Sequence, residues 1–189
     1  MFIVLGIGNP GSKYRFTRHN AGFLLLDYFA EKNKFVFRSG KGEYNYAEGR
    51  ADDSDFVLVK PVTYVNNSGF AAVDVLRKFD APIQNMLVVY DDINLPFGAY
   101  RVRASGGSGG HNGISSIIEN TGTMDFPRIR IGIGSDFEHG DMADYVLSRF
   151  SKEEEPVLKT VFDSCSLLIE NFCSGGAKQL LDANSKMIK

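Results

Sequence analysis

Three short runs in this chain are apolar at every position: Phe2-Ile3-Val4-Leu5, Phe56-Val57-Leu58-Val59 and Met86-Leu87-Val88-Val89-Tyr90. Short runs of this kind, bounded by glycine, proline or polar turns, predict strands buried on both faces. Such strands need helices above and below them, and the intervening sequence supplies amphipathic stretches. Helical patterning covers Ala21 to Lys32 and again Ser68 to Phe79, where Ala71, Ala72, Val75, Leu76 and Phe79 share one face before Asp80-Ala81-Pro82 stops it. Ile114, Ile117 and Ile118 face inward on a third helix, and from about Gly140 the chain reads as helical, with an amphipathic run through Leu168. Further strands are predicted at Glu43 to Glu48, Ala99 to Arg103 and Arg128 to Ile133, with a polar turn from Arg50 to Asp55. Strands alternating with helices predict an α/β fold. The expectation is a single domain over residues 1–189, a three-layer sandwich whose twisted mixed sheet carries helices on both faces.

Charge and composition narrow the function classes. The formal net charge is −2, so no global field marks a nucleic-acid binder, and any basic face has to be local. The 2 cysteines, Cys165 and Cys173, fall in helical context and read as small buried hydrophobes rather than as a disulfide framework or redox pair. No apolar run approaches the length of a membrane span, and the chain opens on a strand with no basic segment before it. These features lead to the expectation of a cytoplasmic protein.

Polar residues gather where strands hand over to loops. Asn9 and His19 lie on the loop between the first strand and first helix, Asn66 precedes the second helix, Asp91 ends the Met86 strand, and Asn112 opens the third helix. Any one asparagine at such a place serves as a turn former or cap. Several converging at the carboxyl edge of one sheet mark a ligand crevice. Asparagine offers a donor and an acceptor without charge, which suits a carbonyl or a water. Histidine changes protonation near neutral pH, and a carboxylate at Asp91 would fix its tautomer and favour its charged form. His19 is the candidate base, with His111 as the spare and His139 at the surface. No serine or cysteine sits in a nucleophile elbow, and three scattered histidines do not predict a zinc site. The chemical reading is water attack by a hydrolase that uses no metal and no cofactor.

Two glycine patterns carry less. Gly6-x-Gly8-x-x-Gly11 matches the spacing of a dinucleotide fingerprint, but Pro10 and a loop stand where that motif needs a helix start. Ser105 to Gly110 lacks the ending of a P-loop, although Arg101 and Arg103 nearby would let it hold an anion.

Six motifs in order resemble the bacterial peptidyl-tRNA hydrolase family. They are Gly8-Asn9-Pro10-Gly11 with Tyr14, Thr17 to Gly22, and Lys60-Pro61 with Asn66-x-Ser68-Gly69. Then come Asp91-Asp92 with Leu95-Pro96-x-Gly98, Gly109 to Asn112 with Gly113, and Arg128 to Gly134. Val65 departs from the methionine usual before the motif asparagine, and Arg101 and Arg103 replace lysines. The resemblance implies cleavage of the ester between a peptide and the 3′ ribose of tRNA. It implies that His19 activates water, that Asp91 holds it, and that Asn9 acts beside them near the peptide. Asn66 and Asn112 would grip the peptide backbone, ribose or water, and Tyr14 and Tyr64 would line the 3′-end site. Arg103 and Arg130, with Arg101 and Arg128 near them, would meet the acceptor-stem phosphates, and His111 would lie at the substrate site. The expected partner is peptidyl-tRNA alone, with no membrane and no obligate protein, and the protein itself is expected to be a monomer. Competing classes are a non-catalytic RNA-binding relative, a dinucleotide-dependent oxidoreductase and a small amidase.

Overall fold

A computed structural model describes residues 1–138 and 140–187. The apolar runs become β1 (Phe2–Gly6), β4 (Ser54–Pro61) and β5 (Met86–Asp92), central strands of a seven-stranded sheet. With β2 (Arg38–Ser39), β3 (Tyr44–Ala51), β6 (Tyr100–Arg103) and β7 (Arg128–Gly132) the spatial order is β2-β3-β4-β1-β5-β7-β6. β4, β1, β5 and β7 run parallel, while β2, β3 and β6 join antiparallel at the edges, so the sheet is mixed as predicted.

Period-two alternation sorts each central strand between two cores. Val4, Phe56, Leu58, Leu87 and Val89 point to the side covered by α1 (Ala21–Asn33) and α5 (Glu155–Met187). Ile3, Leu5, Val57, Val59, Met86 and Val88 point to the side covered by α2 (Ser68–Lys78) and α3 (Asn112–Thr121). A strand apolar at every position has an apolar partner on either face, and burying each such side chain contributes about 1.5–3 kcal/mol.

The loop after β1 is brought close to the sheet by Gly22 at the start of α1. A Cβ there would lie 2.4 Å from the Val89 carbonyl oxygen and 2.6 Å from that of Ile7, so only glycine lets the helix seat against the ends of β1 and β5. That seating fixes the height of His19, which lies on the 3₁₀ turn Arg18–Asn20 just before it.

Several boundaries differ from the sequence reading. The turn predicted from Arg50 to Asp55 shrinks to Asp52-Asp53, because β3 and β4 pair out to Ala51 and Ser54. The helical region expected from about Gly140 is interrupted. α4 (Met142–Leu147) ends where Ser148 to Phe150 runs extended beside the His19 loop, Arg18 N–H donating to Ser148 O at 2.9 Å. The amphipathic run read through Leu168 belongs to α5, which continues to Met187 through non-helical Gly175 and Gly176, the latter at φ 69°. Cys165 and Cys173 are fully buried in the α5 core, as the composition suggested. Among the described residues, no helix is long and apolar enough to cross a membrane. His139 lies outside the described residues.

Candidate active site

At the carboxyl ends of β1 and β5, a cleft of about 570 Å³ is lined by Asn9, His19, Tyr64, Asn66, Asp91, His111, Asn112 and Arg130. Its far wall is apolar, formed by Met142, Ala143, Val146 and Leu147 of α4. The residues predicted to converge therefore do so, at the crevice where open α/β sheets bind ligands.

At the centre, His19 Nδ1 faces both oxygens of Asp91, at 2.9 Å to Oδ1 and 3.0 Å to Oδ2. Asp91 is 2% exposed. Burial favours the neutral carboxyl, but His19 and His111 face it with charge and hydrogen bonds, and they hold its pKa well below the usual carboxylate range. At His19, burial disfavours the imidazolium, yet Asp91 outweighs it by charge and hydrogen bond, and the pKa is raised above the ordinary histidine value. With Nδ1 committed to Asp91, Nε2 is the nitrogen His19 can offer to a molecule in the cleft.

His19 and His111 are not scattered. His111 Nε2 lies 3.0 Å from Asp91 Oδ1, and the two imidazole rings are 5.1 Å apart. His19, Asp91 and His111 thus bring three groups of metal-ligating type within 4.8 Å. The hydrogen bonds argue against a ligand set. His111 Nδ1 accepts from the backbone N–H groups of Gly113 and Ile114, so its proton is on Nε2, and a protonated nitrogen has no lone pair for a metal.

Asn9 is 8% exposed and heavily tied. Its Oδ1 accepts from Val65 N–H at 3.0 Å, leaving its NH₂ as the group it can present. Its backbone is held by Asn20, whose Oδ1 accepts from Asn9 N–H at 2.8 Å and whose Nδ2 donates to Asn9 O at 2.9 Å. Asn20 is buried, and this amide-to-backbone pairing locks the β1 loop to the His19 turn. Sequence reasoning gave Asn20 no role of its own, since nothing in an eleven-residue separation announces such a pair. Asn66 and Asn112 are exposed, with side chains free to meet a ligand. Tyr64 is 56% exposed at the rim, and Tyr14 packs edge-on against it, ring centroids 6.3 Å apart, without lining the cleft itself.

The arginines divide. Arg101 and Arg103 are exposed on β6, outside the cleft, and Arg130 lines it while pairing with Asp92. Arg128, expected at an outer basic face, is 1% exposed. Its guanidinium lies over the Phe126 ring and donates to Gly107 O at 2.7 Å and Met124 O at 3.3 Å. It anchors the glycine-rich loop from beneath and is not available to a phosphate. The β7 alternation places Arg128 and Arg130 on one face correctly, but at Arg128 the loop covers that face.

The Peptidyl-tRNA hydrolase family model matches residues 3–189. The peptidyl-tRNA hydrolase of Clostridium botulinum is 41% identical over 189 residues, 100% of this chain and 95% of that one. That of Chloroflexus aggregans is 45% identical over 179 residues, 93% and 94% of the two chains. The crystal structure of peptidyl-tRNA hydrolase from Acinetobacter baumannii is similar at a TM-score of 0.88 and 28% identity, covering 97% of this chain and 92% of that one.

Proposed function

The chain belongs to the peptidyl-tRNA hydrolase family and hydrolyses peptidyl-tRNA, and from that premise we propose that His19 is the general base of the reaction. The observation that carries this reading is the bond between His19 Nδ1 and both oxygens of buried Asp91, which leaves Nε2 as a base in the cleft. A water between Nε2 and the ester carbonyl gives its proton to Nε2 as its oxygen adds to the carbonyl carbon. Asp91 stabilises the imidazolium so formed. The tetrahedral intermediate then collapses, and the ribose 3′ oxygen leaves with the proton returned from His19. The products are a free peptide and tRNA with an intact 3′ hydroxyl. An ester leaves more readily than an amide, so one base and neutral donors suffice, without metal or cofactor.

The NH₂ of Asn9, with Asn66 and Asn112, supplies those donors to the peptide backbone, the ribose or the water. Contacts of this kind ignore side-chain identity, as a substrate with varied peptides requires. Tyr64, backed by Tyr14, offers a face on which the terminal base can stack. Arg101, Arg103 and Arg130 meet phosphates of the acceptor stem, fixing register without reading sequence. The chain acts as one domain over residues 1–189, as a cytoplasmic monomer with no further protein partner.

The test is release of N-acetylaminoacyl groups from tRNA by wild type and by His19→Ala, with tRNA binding measured alongside. Wild-type turnover, lost by about 10³-fold or more in the variant while tRNA still binds, supports the reading. Wild-type activity retained in His19→Ala overturns the base. Binding without turnover in wild type moves the chain to the class of RNA-binding relatives.

A further inference from the structure

The base pair has a third member whose chemistry is set by a helix. His111 is the residue before α3, and its Nδ1 accepts from Gly113 N–H at 3.1 Å and Ile114 N–H at 3.3 Å. A ring nitrogen that accepts from two amides carries a lone pair, so the ring proton resides on Nε2. That nitrogen faces Asp91 Oδ1 at 3.0 Å. Asp91, acceptor-only when ionised, therefore receives two imidazole N–H groups, and Oδ1 receives both. The ring is also confined sideways, by Tyr90 edge-on with centroids 4.9 Å apart.

We propose that His111 is a positioning residue for hydrolysis, locked by the α3 N-terminus as the Nε2–H tautomer so that it pins Asp91 and tempers its pull on the His19 proton. The proposal rests on His19 and Asp91 being the base pair. Without the second donor, Asp91 would be free to turn about its side-chain torsion, and the even approach of His19 Nδ1 to both oxygens would be lost. The α3 amides polarise the His111 ring and draw part of the Asp91 charge toward a helix terminus that favours anions. The carboxylate then holds the His19 imidazolium less tightly than it would alone, and the proton accepted from water is released again to the leaving ribose.

Among the described residues, the other charges near the pair are matched. From β5 and β7, Asp92 pairs with Arg130. From the His19 turn, Arg18 pairs with Glu154 at 2.8 Å. From α4, the residues that line the cleft are apolar. His111 is thus the group placed to modulate Asp91.

Two measurements test this. In wild type, the imidazole ¹⁵N signals of His111 are expected to show a protonated Nε2 and an unprotonated Nδ1 at neutral pH; a protonated Nδ1 would overturn the proposal. His111→Asn separates cap from donor, because asparagine is a strong N-cap whose side chain is too short to reach Asp91. It is expected to keep KM within about twofold while kcat falls about tenfold. The acid limb of its kcat profile is expected to move up by roughly half a pH unit, since Asp91 then acts on His19 undiluted. A raised KM with an unmoved limb would make His111 a substrate contact and overturn the positioning role. His19→Ala in the same assay separates the cases. If it stays active, the base assignment itself fails; if it is dead while His111→Asn matches wild type, only the role of His111 fails. Should His111→Asn not fold, the ¹⁵N measurement decides.

Discussion

Asp91→Asn preserves the shape of the side chain and removes its charge, and the native geometry dictates how the site responds. If the new amide keeps its oxygen toward His111 Nε2–H, 3.0 Å from Oδ1 in the native protein, its NH₂ takes the place of Oδ2, 3.0 Å from His19 Nδ1. The retained oxygen still lies 2.9 Å from His19 Nδ1, but the amide N–H now crowds the same nitrogen, donor facing donor. His19 escapes by moving its proton to Nε2 and accepting through Nδ1, and the nitrogen that should take a proton from water no longer has a lone pair. The imidazolium also loses its counter-charge in the transition state. At the native 2.9 Å separation, an effective dielectric near 20 puts that attraction at roughly 6 kcal/mol. Hydrogen bonding to the amide recovers part of it, leaving a loss of roughly 3–5 kcal/mol, or about 10²- to 10⁴-fold in kcat. The pH profile carries a sign. In the native protein Asp91 outweighs burial and raises the His19 pKa, so the acid limb lies above the ordinary histidine value of about 6.5. With the charge gone, burial alone remains and the limb moves to lower pH, opposite to the shift expected of His111→Asn. Steady-state hydrolysis of N-acetylaminoacyl-tRNA across pH reads both effects. A variant within about threefold of wild type, with its limb in place, would refute the pairing.

Other perturbations test the supports of the site. Gly22→Ala forces a Cβ to within 2.4 Å of the Val89 carbonyl oxygen; a cost of about 3 kcal/mol lowers the melting temperature by roughly 6–12 °C, and an unchanged melt would deny that the helix seats so closely. Arg103→Ala is expected to weaken tRNA binding and reduce the slope of log affinity against log salt by about one, with kcat at saturation unchanged; an unaltered slope would remove Arg103 from the phosphate contact. Arg18→Ala breaks a paired guanidinium that donates to both Glu154 oxygens, at 2.8 and 3.0 Å, and lies over the rings of Tyr145 and Phe150. It should cost about 3 kcal/mol on thermal unfolding and raise KM more than it lowers kcat, since the α4 wall loses its tie to the His19 turn; equal KM would mean the wall stays in place without it.

How much of the structure is legible in the sequence depends on how local its cause is. Phe56 to Val59 announces a doubly buried strand because every residue in it needs an apolar neighbour, and no distant partner has to be known. The positions of Asn9, His19, Asp91 and Asn112 are legible for the same reason, as strand exits share one edge of the sheet. Hydrogen bonding across the fold is not legible. Asn20 looks like any polar residue before a helix until the β1 loop folds back onto it. His111 reads as a spare histidine because its tautomer depends on the α3 amides and its partner lies twenty residues upstream. The break between α4 and α5 comes from backbone pairing of Arg18 with Ser148, which helical periodicity does not register.

The antiparallel pair of β6 and β7 at the sheet edge carries the tension that remains. In its register Arg101 stands opposite Arg130, and Arg103 opposite Arg128, so like charges face each other across neighbouring strands. Direct opposition of this kind destabilises a sheet. The inner pair is relieved locally, Arg130 by Asp92 and Arg128 by two carbonyls and the Phe126 ring. The outer pair, Arg101 and Arg103, stands exposed on β6 beyond those relieving contacts. A chain of net charge −2 thus concentrates positive potential at one sheet edge, beside the cleft and the glycine loop. An anion laid along that edge would relieve the repulsion as well as supply attraction, which makes a phosphate backbone a better occupant than any neutral ligand. Under the proposed contact of Arg101 and Arg103 with tRNA phosphates, this edge lets a mildly acidic protein hold an RNA substrate, and the proposal requires that binding weaken as salt rises while turnover at saturation does not.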